Sequence, residues 1–187
     1  MNQIPQDNQE PLAVVIMAAG KGTRMKSSLP KVLHRLGGRA LVAHVIATAA
    51  GIGARQIVVV TGHGAPEVEA TLEGTMADLP LQFARQMPQL GTGHAVQQAA
   101  PLLPDDSTVL VLSGDVPLID GDTLRALAAD SAGRRLALLT IEVDEPRGTA
   151  ASCACRAAAR ARARSSRSSR RRTPPRRSAR SARSTAA

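Results

Sequence analysis

Short apolar runs alternate with amphipathic segments along the first 146 residues of the chain. The runs end at glycine, proline or polar residues, which is typical of buried strands. The predicted strands are Leu12–Met17, Gln56–Thr61, Leu81–Ala84, Thr108–Leu112 and Arg135–Val143. Apolar residues at helical spacing predict the helices Arg39–Ala50, Ala65–Leu72, Gly93–Ala100 and Asp122–Ala129. This alternation predicts an α/β fold built on a mostly parallel sheet.

Three loops of this predicted sheet contain most of the unusual chemistry in the sequence. They are Ala18–Pro30, Gln86–Gly93 and Ser113–Asp120, and each follows the carboxyl end of a predicted strand. Ligands of open parallel sheets bind beyond those strand ends. We therefore predict that the three loops surround a binding site.

The first loop, "AAGKGTRM", places small residues beside basic ones. It matches neither the phosphate-binding G-x-x-x-x-G-K-[ST] pattern nor the complete dinucleotide-binding G-x-G-x-x-G pattern. Its successive N–H groups can bind an anion, and Lys21, Arg24 and Lys31 can compensate phosphate charge. Pro30 stiffens the backbone just before Lys31. The alternative is a tight strand-to-helix turn with solvated basic side chains.

The second loop, "QMPQLGTGHA", has glycines on both sides of Thr92. Glycines permit close approach to a flat base, while Gln86 and Thr92 offer hydrogen bonds to base edges. The alternative is an ordinary helix start, with Thr92 as the N-cap and His94 facing solvent in the first turn.

The third loop begins with Ser113-Gly114-Asp115 directly after an apolar strand. A carboxylate in this position can bind Mg²⁺ opposite phosphate groups, because Mg²⁺ takes one or two carboxylates together with substrate oxygens. The alternative is an aspartate that caps a turn. The location of Asp115 among the same strand ends as the basic loop favours the metal interpretation.

Charge divides the chain near residue 146. The 187 residues carry a formal net charge of +9, but residues 147–187 contain 13 Arg, no acid and no Leu, Ile, Val, Met or Phe. The other 11 Lys and Arg face all 15 Asp and Glu, so residues 1–146 carry about −4. We predict a flexible leader (1–11), an α/β domain (12–146) and a disordered tail (147–187), since the tail cannot form an apolar core.

The chain shows no sign of export or membrane insertion. Its polar, acidic N-terminus lacks the features of a signal peptide, and no apolar run approaches the roughly 18 residues that a membrane span requires. We predict a cytoplasmic protein without a membrane partner. Cys153 and Cys155 form an isolated C-x-C pair, which predicts neither a zinc site nor a disulfide framework.

Taken in order, the motifs "AAGKGTRM", "LPKVLH", "QLGTGHA" and "GDVPLI" resemble the sugar-nucleotidyltransferase superfamily. Within it they are similar to the pyrophosphorylase domain of the bacterial bifunctional N-acetylglucosamine-1-phosphate uridyltransferases. The resemblance runs from about Leu12 to Glu145. It implies a Rossmann-like three-layer nucleotidyltransferase fold whose C-terminal part is missing. It also implies UMP transfer from UTP to N-acetylglucosamine 1-phosphate with Mg²⁺, giving UDP-N-acetylglucosamine for peptidoglycan and lipopolysaccharide.

The resemblance assigns roles by position. Arg24 and Lys31 would be the catalytic residues that hold the phosphates, and Asp115 would bind Mg²⁺. The residues implied to contact the nucleotide through their backbone are Met17, Ala18, Ala19 and Gly20. Those implied to read uracil are Gln86, Gly91 and Thr92. Those implied to span the nucleotide and metal are Ser113, Gly114 and Asp115, and the family usually has tyrosine at position 113.

The tail departs from the family. There the chain continues with a Gly-Tyr-Gly-Arg-Ile-Val element, sugar-binding Glu and Asn residues and a left-handed β-helix acetyltransferase domain, none of which is present here. The segment Gly148–Ala154, "GTAASCA", can be encoded by DNA that gives Tyr-Gly-Arg-Ile-Val-Arg when read two bases later. We therefore predict a frameshift near Glu145–Arg147.

Three functions remain as alternatives at this stage. The chain is an active uridyltransferase, an inactive nucleotide-binding remnant, or a nucleic-acid-binding protein that acts through a genuine Arg-rich tail. The remnant is the behaviour we expect of the chain as written. The family's homo-oligomer is not expected without the β-helix domain.

Overall fold

The computed structural model describes residues 11–22, 25–131 and 135–140. The chain divides into two units, Met1–Thr140 and Ile141–Ala187, and every described residue belongs to the first. The predicted leader apart from Pro11, and the predicted tail with Cys153 and Cys155, lie outside the described residues.

A parallel sheet forms the centre of the described unit. Its four strands stand in the order β5-β4-β1-β6, and all neighbouring pairs are parallel. Beside it lies a two-stranded antiparallel ribbon formed by β2 and β3. The strands are β1 (Leu12–Met17), β2 (Arg35–Leu36), β3 (Arg39–Ala40), β4 (Gln56–Thr61), β5 (Leu81–Arg85) and β6 (Thr108–Ser113).

Helices connect the parallel strands, as the sequence pattern predicts. Short 3₁₀ turns lie at Lys31–Leu33 and Ala100–Leu102. No helix in the described part of the chain is long and apolar enough to cross a membrane. The helices are α1 (Leu41–Gly51), α2 (Ala65–Thr75), α3 (Thr92–Ala99) and α4 (Gly121–Ser131).

Three layers bury the sheet on both faces. On one face Val14, Ile16 and Ile57 pack against apolar residues of α1, α2 and α4. On the other face Val15 and Val58 pack against small residues of α3. The central strands β1 and β4 are therefore buried on both sides, which explains their nearly continuous apolar sequences. This arrangement confirms the predicted α/β, Rossmann-like three-layer fold.

The predicted element bounds hold best where burial dictates them. β1 and β4 begin and end as predicted. The first helix begins at Leu41 and not at Arg39, because Arg39 and Ala40 pair with the strand before them. The turn between these two short strands uses Gly37 and Gly38, both at positive φ, a signal that the sequence prediction did not use.

One predicted strand is wrong over its described part. Residues 135–140 of the predicted strand Arg135–Val143 have no regular secondary structure, and residues 141–143 lie outside the described residues. Leu136 is 85% exposed, and Val111 of the neighbouring strand β6 is 41% exposed. Strand propensity reflects a fit to a half-buried pleated surface, and Leu136, Leu138 and Leu139 all remain exposed.

Candidate active site at the carboxyl edge of the sheet

Three loops meet where the parallel strands end. Met17 at the end of β1 pairs with Val60 on one side and Ser113 on the other, so the loops after these strands leave one edge of the sheet. Chain order reverses between β1 and β6, which is the position where open α/β sheets bind ligands. A cavity of about 630 Å³ lies there.

The loop after β1 is fixed by backbone hydrogen bonds to both neighbours. The N–H of Ala18 donates to the carbonyl of Val60 at 2.8 Å, and the N–H of Gly114 donates to the carbonyl of Met17 at 2.9 Å. Ala18 and Ala19 are buried, whereas Gly20 is exposed at the cavity. The small residues thus form a rigid floor that a ligand can approach closely.

Glycine is required at position 22 for two reasons. Its φ of +60° is in the left-handed region, which disfavours residues with a Cβ. An added Cβ would lie 2.7 Å from the Cβ of Lys31. Gly22 therefore lets the glycine-rich loop pack directly against the segment that carries Lys31.

Lys31 and Asp115 form an ion pair inside the cavity. The Nζ of Lys31 donates to Oδ2 of Asp115, while the Ser113 hydroxyl donates to Oδ1 of the same carboxylate at 2.6 Å. Burial raises the pKa of Asp115, but the hydrogen bonds from Lys31 and Ser113 and the charge of Lys31 outweigh it, so its pKa is below the ordinary value. Asp115 is therefore ionised at neutral pH.

The donor set around Asp115 fits a magnesium ion that is shared with a phosphate ligand. One carboxylate and one hydroxyl lie together, and the described residues contain no group of three or more His, Cys, Asp or Glu side chains that could hold a metal alone. Mg²⁺ commonly binds through one or two carboxylates and completes its shell with phosphate oxygens and water.

The opposite wall of the cavity is formed by the loop after β5. Gln86 donates its backbone N–H to Thr61 at 2.8 Å and its side-chain Nε2 to the carbonyl of Gly91 at 2.8 Å. Gly91 has φ of +99°, a left-handed value that glycine adopts readily. α3 begins at Thr92 with Gly91 as its N-cap, so the alternative interpretation of Thr92 as a side-chain cap is wrong.

Gln89 is a cavity residue that the sequence analysis missed. Its Nε2 donates to the carbonyl of Ala19 at 2.7 Å and so joins the loop after β5 to the loop after β1. The C=O and N–H of a trans peptide point in opposite directions, so fixing the Ala19 carbonyl also fixes the N–H of Gly20. None of the hydrogen bonds within the described part of the chain uses that N–H. The only indication of Gln89 in the sequence was its location in the loop "QMPQLGTGHA", near two glycines.

A second hydrogen-bond network fixes the start of the loop after β5. Buried Thr61 donates to Glu69 at 2.7 Å, and Arg85 donates to both oxygens of the same carboxylate, at 3.1 and 2.6 Å. The hydrogen bond from Arg85 is the main reason that the pKa of Glu69 is lowered. The network ties α2 to the ends of β4 and β5, next to Gln86.

The structure brings most of the predicted site residues together. Gly114 lies beneath the cavity, where an added Cβ would be 3.0 Å from the Met17 carbonyl. Arg24 lies outside the described residues, and its role stays a prediction. The predicted residues that line the cavity are Met17, Ala18, Ala19, Gly20, Lys31, Gln86, Gly91, Thr92, Ser113 and Asp115.

Fold and cavity together define an α/β domain of the nucleotidyltransferase class. The pattern of the MobA-like NTP transferase domain matches residues 14–181, and the chain belongs to this family. Among solved structures, a nucleotidyl transferase from Methanothermobacter thermautotroptrophicus is 26% identical with a TM-score of 0.56, covering 64% of this chain and 57% of the other. A UDP-glucose pyrophosphorylase from Acinetobacter baumanii is 25% identical with a TM-score of 0.55, covering 66% and 53%.

Closer similarity is found to proteins named bifunctional protein GlmU. The one from Polaromonas naphthalenivorans is 69% identical over 141 residues, and the one from Methylibium petroleiphilum is 62% identical over 137 residues. These matches cover 74% and 73% of this chain. The chain spans about 30% of the length of these relatives.

Proposed function

We propose that the cavity binds UTP and that the domain serves transfer of UMP to N-acetylglucosamine 1-phosphate. The observation that carries this proposal is the ion pair between Lys31 and Asp115, which lies between a small-residue loop and the wall formed by Gln86 and Gly91. The small residues allow phosphates to approach the backbone closely, and the ion pair supplies charges for phosphate and metal. Gln86 and Gly91 offer hydrogen bonds to a base. The similarity to GlmU proteins supports the same assignment.

In the proposed reaction, a phosphate oxygen of the sugar phosphate attacks the α-phosphorus of UTP. A bond forms between that oxygen and the α-phosphorus. The bond from the α-phosphorus to the oxygen that bridges it to the β-phosphorus breaks, and pyrophosphate leaves with that oxygen. Such transfers need positioning and charge compensation, not a covalent nucleophile. Lys31 supplies positive charge at the phosphates, and Gly20 leaves space for them, since nothing lies within 4 Å of where its Cβ would be.

Asp115 would hold the magnesium ion, with Ser113 beside it. Bound Mg²⁺ would neutralise charge on the phosphates and help to orient them. A carboxylate has about four lone-pair sites, so Asp115 can bind the ion while Lys31 stays beside it and adds positive charge near the phosphates.

Binding and turnover are separate parts of the proposal. Calorimetry of the full chain with UTP and Mg²⁺ measures binding, and pyrophosphate release in the presence of N-acetylglucosamine 1-phosphate measures turnover. We propose that this chain binds UTP and releases little pyrophosphate, because residues 147–187 have an Arg-rich sequence in place of the family's Gly-Tyr-Gly-Arg-Ile-Val element.

Matched variants locate the binding. Lys31→Met and Asp115→Asn should each weaken UTP binding by about tenfold or more, since each removes a charged contact. Arg55→Met and Asp78→Asn make the same charge changes at exposed residues beside the amino ends of β4 and β5, and should leave the affinity unchanged. Absence of UTP binding, or equal effects of both pairs, would overturn the proposal.

A further inference from the structure

The side-chain amide of Gln86 is held in one orientation. Gln86 is only 3% exposed, yet it lines the cavity. Its Nε2 lies 2.8 Å from the carbonyl of Gly91. A carbonyl oxygen accepts hydrogen bonds and donates none, so the amide must present its NH₂ group to Gly91.

His94 holds the same NH₂ group from a second direction. Its Nδ1 lies 3.2 Å from Nε2 of Gln86, so Nδ1 must be the acceptor in this contact. A neutral ring then carries its hydrogen on Nε2, which lies 3.2 Å from Nε2 of Gln98, and two N–H groups cannot hydrogen-bond to each other. Rotation of that amide by half a turn presents its oxygen to the ring. Gln98, His94 and Gln86 therefore form a continuous relay from α3 to the cavity wall.

The relay leaves only the amide oxygen of Gln86 for a ligand. Both hydrogens of its NH₂ group are directed to Gly91 and His94, and no hydrogen bond within the described residues uses its Oε1. An acceptor on a side chain that is only 3% exposed selects against a ligand that cannot donate to it. Uracil has a donor, N3–H, in the middle of its pairing edge, whereas cytosine has an acceptor at the same position.

We infer that His94 and Gln98 are positioning residues that set base selectivity by fixing the amide of Gln86. This inference rests on the proposed binding of a uridine nucleotide. Without the relay, the amide is held by Gly91 alone, and turning its NH₂ group toward the ligand loses one hydrogen bond instead of two. Cytosine then becomes acceptable, and the preference for uracil falls.

The test measures affinities of UTP and CTP for the full chain and for His94 variants. The unaltered chain should bind UTP at least about tenfold more tightly than CTP. His94→Leu should lower this preference about 3- to 10-fold, the effect of one hydrogen bond. His94→Asn should retain most of it, because an asparagine oxygen can replace Nδ1 as the acceptor.

The neighbouring glutamines of α3 provide a matched control. Gln98→Leu should lower the preference as His94→Leu does, whereas Gln97→Leu, at an exposed position of the same helix, should not. A purely structural role for His94 would weaken UTP and CTP binding equally and leave their ratio unchanged. That result, or equal ratios for His94→Leu and His94→Asn, would overturn the inference.

A second measurement avoids substitutions altogether. UTP methylated at N3 has lost the hydrogen that Gln86 should accept, and its affinity for the unaltered chain should be at least about tenfold lower than that of UTP. Equal binding of the two nucleotides would refute the inference while leaving UTP binding established. If the unaltered chain binds none of these nucleotides, the proposed function fails and the inference fails with it.

Discussion

Replacing Gly62 with alanine tests how closely the loop after β1 is held against the loop after β5. Gly62 follows β4 and lies beside the hydrogen bond between Gln89 and Ala19. An added Cβ would lie 2.6 Å from Nε2 of Gln89, 2.9 Å from the Cβ of Ala19 and 3.0 Å from its carbonyl oxygen. The new methyl group therefore meets both partners of this hydrogen bond.

The expected cost follows from which of these atoms can move. The Gln89 amide can turn away, at the loss of one hydrogen bond worth ~0.5–1.5 kcal/mol. Ala19 is buried backbone, so its contacts leave an overpacking cost of ~1–3 kcal/mol. Alanine has less conformational freedom than glycine in the unfolded chain, which stabilises the folded state by ~0.4–1 kcal/mol. Taken together, these contributions mean that Gly62→Ala should reduce the free energy of unfolding by about 0.5–4 kcal/mol.

Urea denaturation followed by far-ultraviolet circular dichroism measures this change, because the chain has no Trp or Tyr for fluorescence. Gly74→Ala is the matched control. Gly74 lies in α2 with nothing within 4 Å of where its Cβ would be. There alanine should stabilise the protein by ~0.5–1 kcal/mol through helix propensity.

A double-variant cycle isolates the contact with Gln89. Gln89→Ala removes the hydrogen bond but also gives the new methyl group space, so Gly62→Ala should cost roughly 0.5–1.5 kcal/mol less in that background. Equal stability of Gly62→Ala and Gly74→Ala would refute the close contact between Gly62 and the two loops. Strict additivity with Gln89→Ala would also contradict it.

Three further predictions concern charge, the glycine-rich loop and the tail. The pKa values of Glu69 and Asp115 are lowered in the folded chain, so their contribution to stability is complete well above about pH 4 and is lost as the pH falls through the folded-state values. Glu69→Gln removes one of these carboxylates, so the urea midpoint should decline less steeply between about pH 5 and 3. An unchanged decline would contradict this expectation. Gly22→Ala should weaken UTP binding about tenfold or more by displacing Lys31, while Gly51→Ala, with open space around it, should not. Resequencing the source DNA across codons 140–175 should reveal a frame that restores Gly-Tyr-Gly-Arg-Ile-Val, and its absence would make the Arg-rich tail a genuine segment.

The central strands were predictable from sequence because burial on both faces leaves a direct trace in residue type. β1 and β4 show it plainly, and their bounds were correct to the residue. The predicted strand Arg135–Val143 shows the limit of this approach. An apolar run has a high propensity for a strand, but it forms one only where a neighbouring strand and a packing surface are available, and the run itself does not specify these.

The site was predictable to the level of loops but not of contacts. Glycines, basic residues and an acid at strand ends identified the three loops and most of the cavity lining. The roles of Gln89, His94 and Gln98 depend on which side chains the fold brings within hydrogen-bonding distance. Gln89 and Ala19 are 70 residues apart in sequence, and no local pattern connects them.

The outer strand of the sheet has a consequence for the behaviour of the protein in solution. Within the described residues β6 pairs only with β1, and Val109 and Val111 on one of its faces are exposed. An outer strand that exposes apolar side chains can associate with another chain. Any such association stabilises the folded chain by mass action, so the measured stability would depend on protein concentration. Dilution would then lower the measured stability, as acid and urea do.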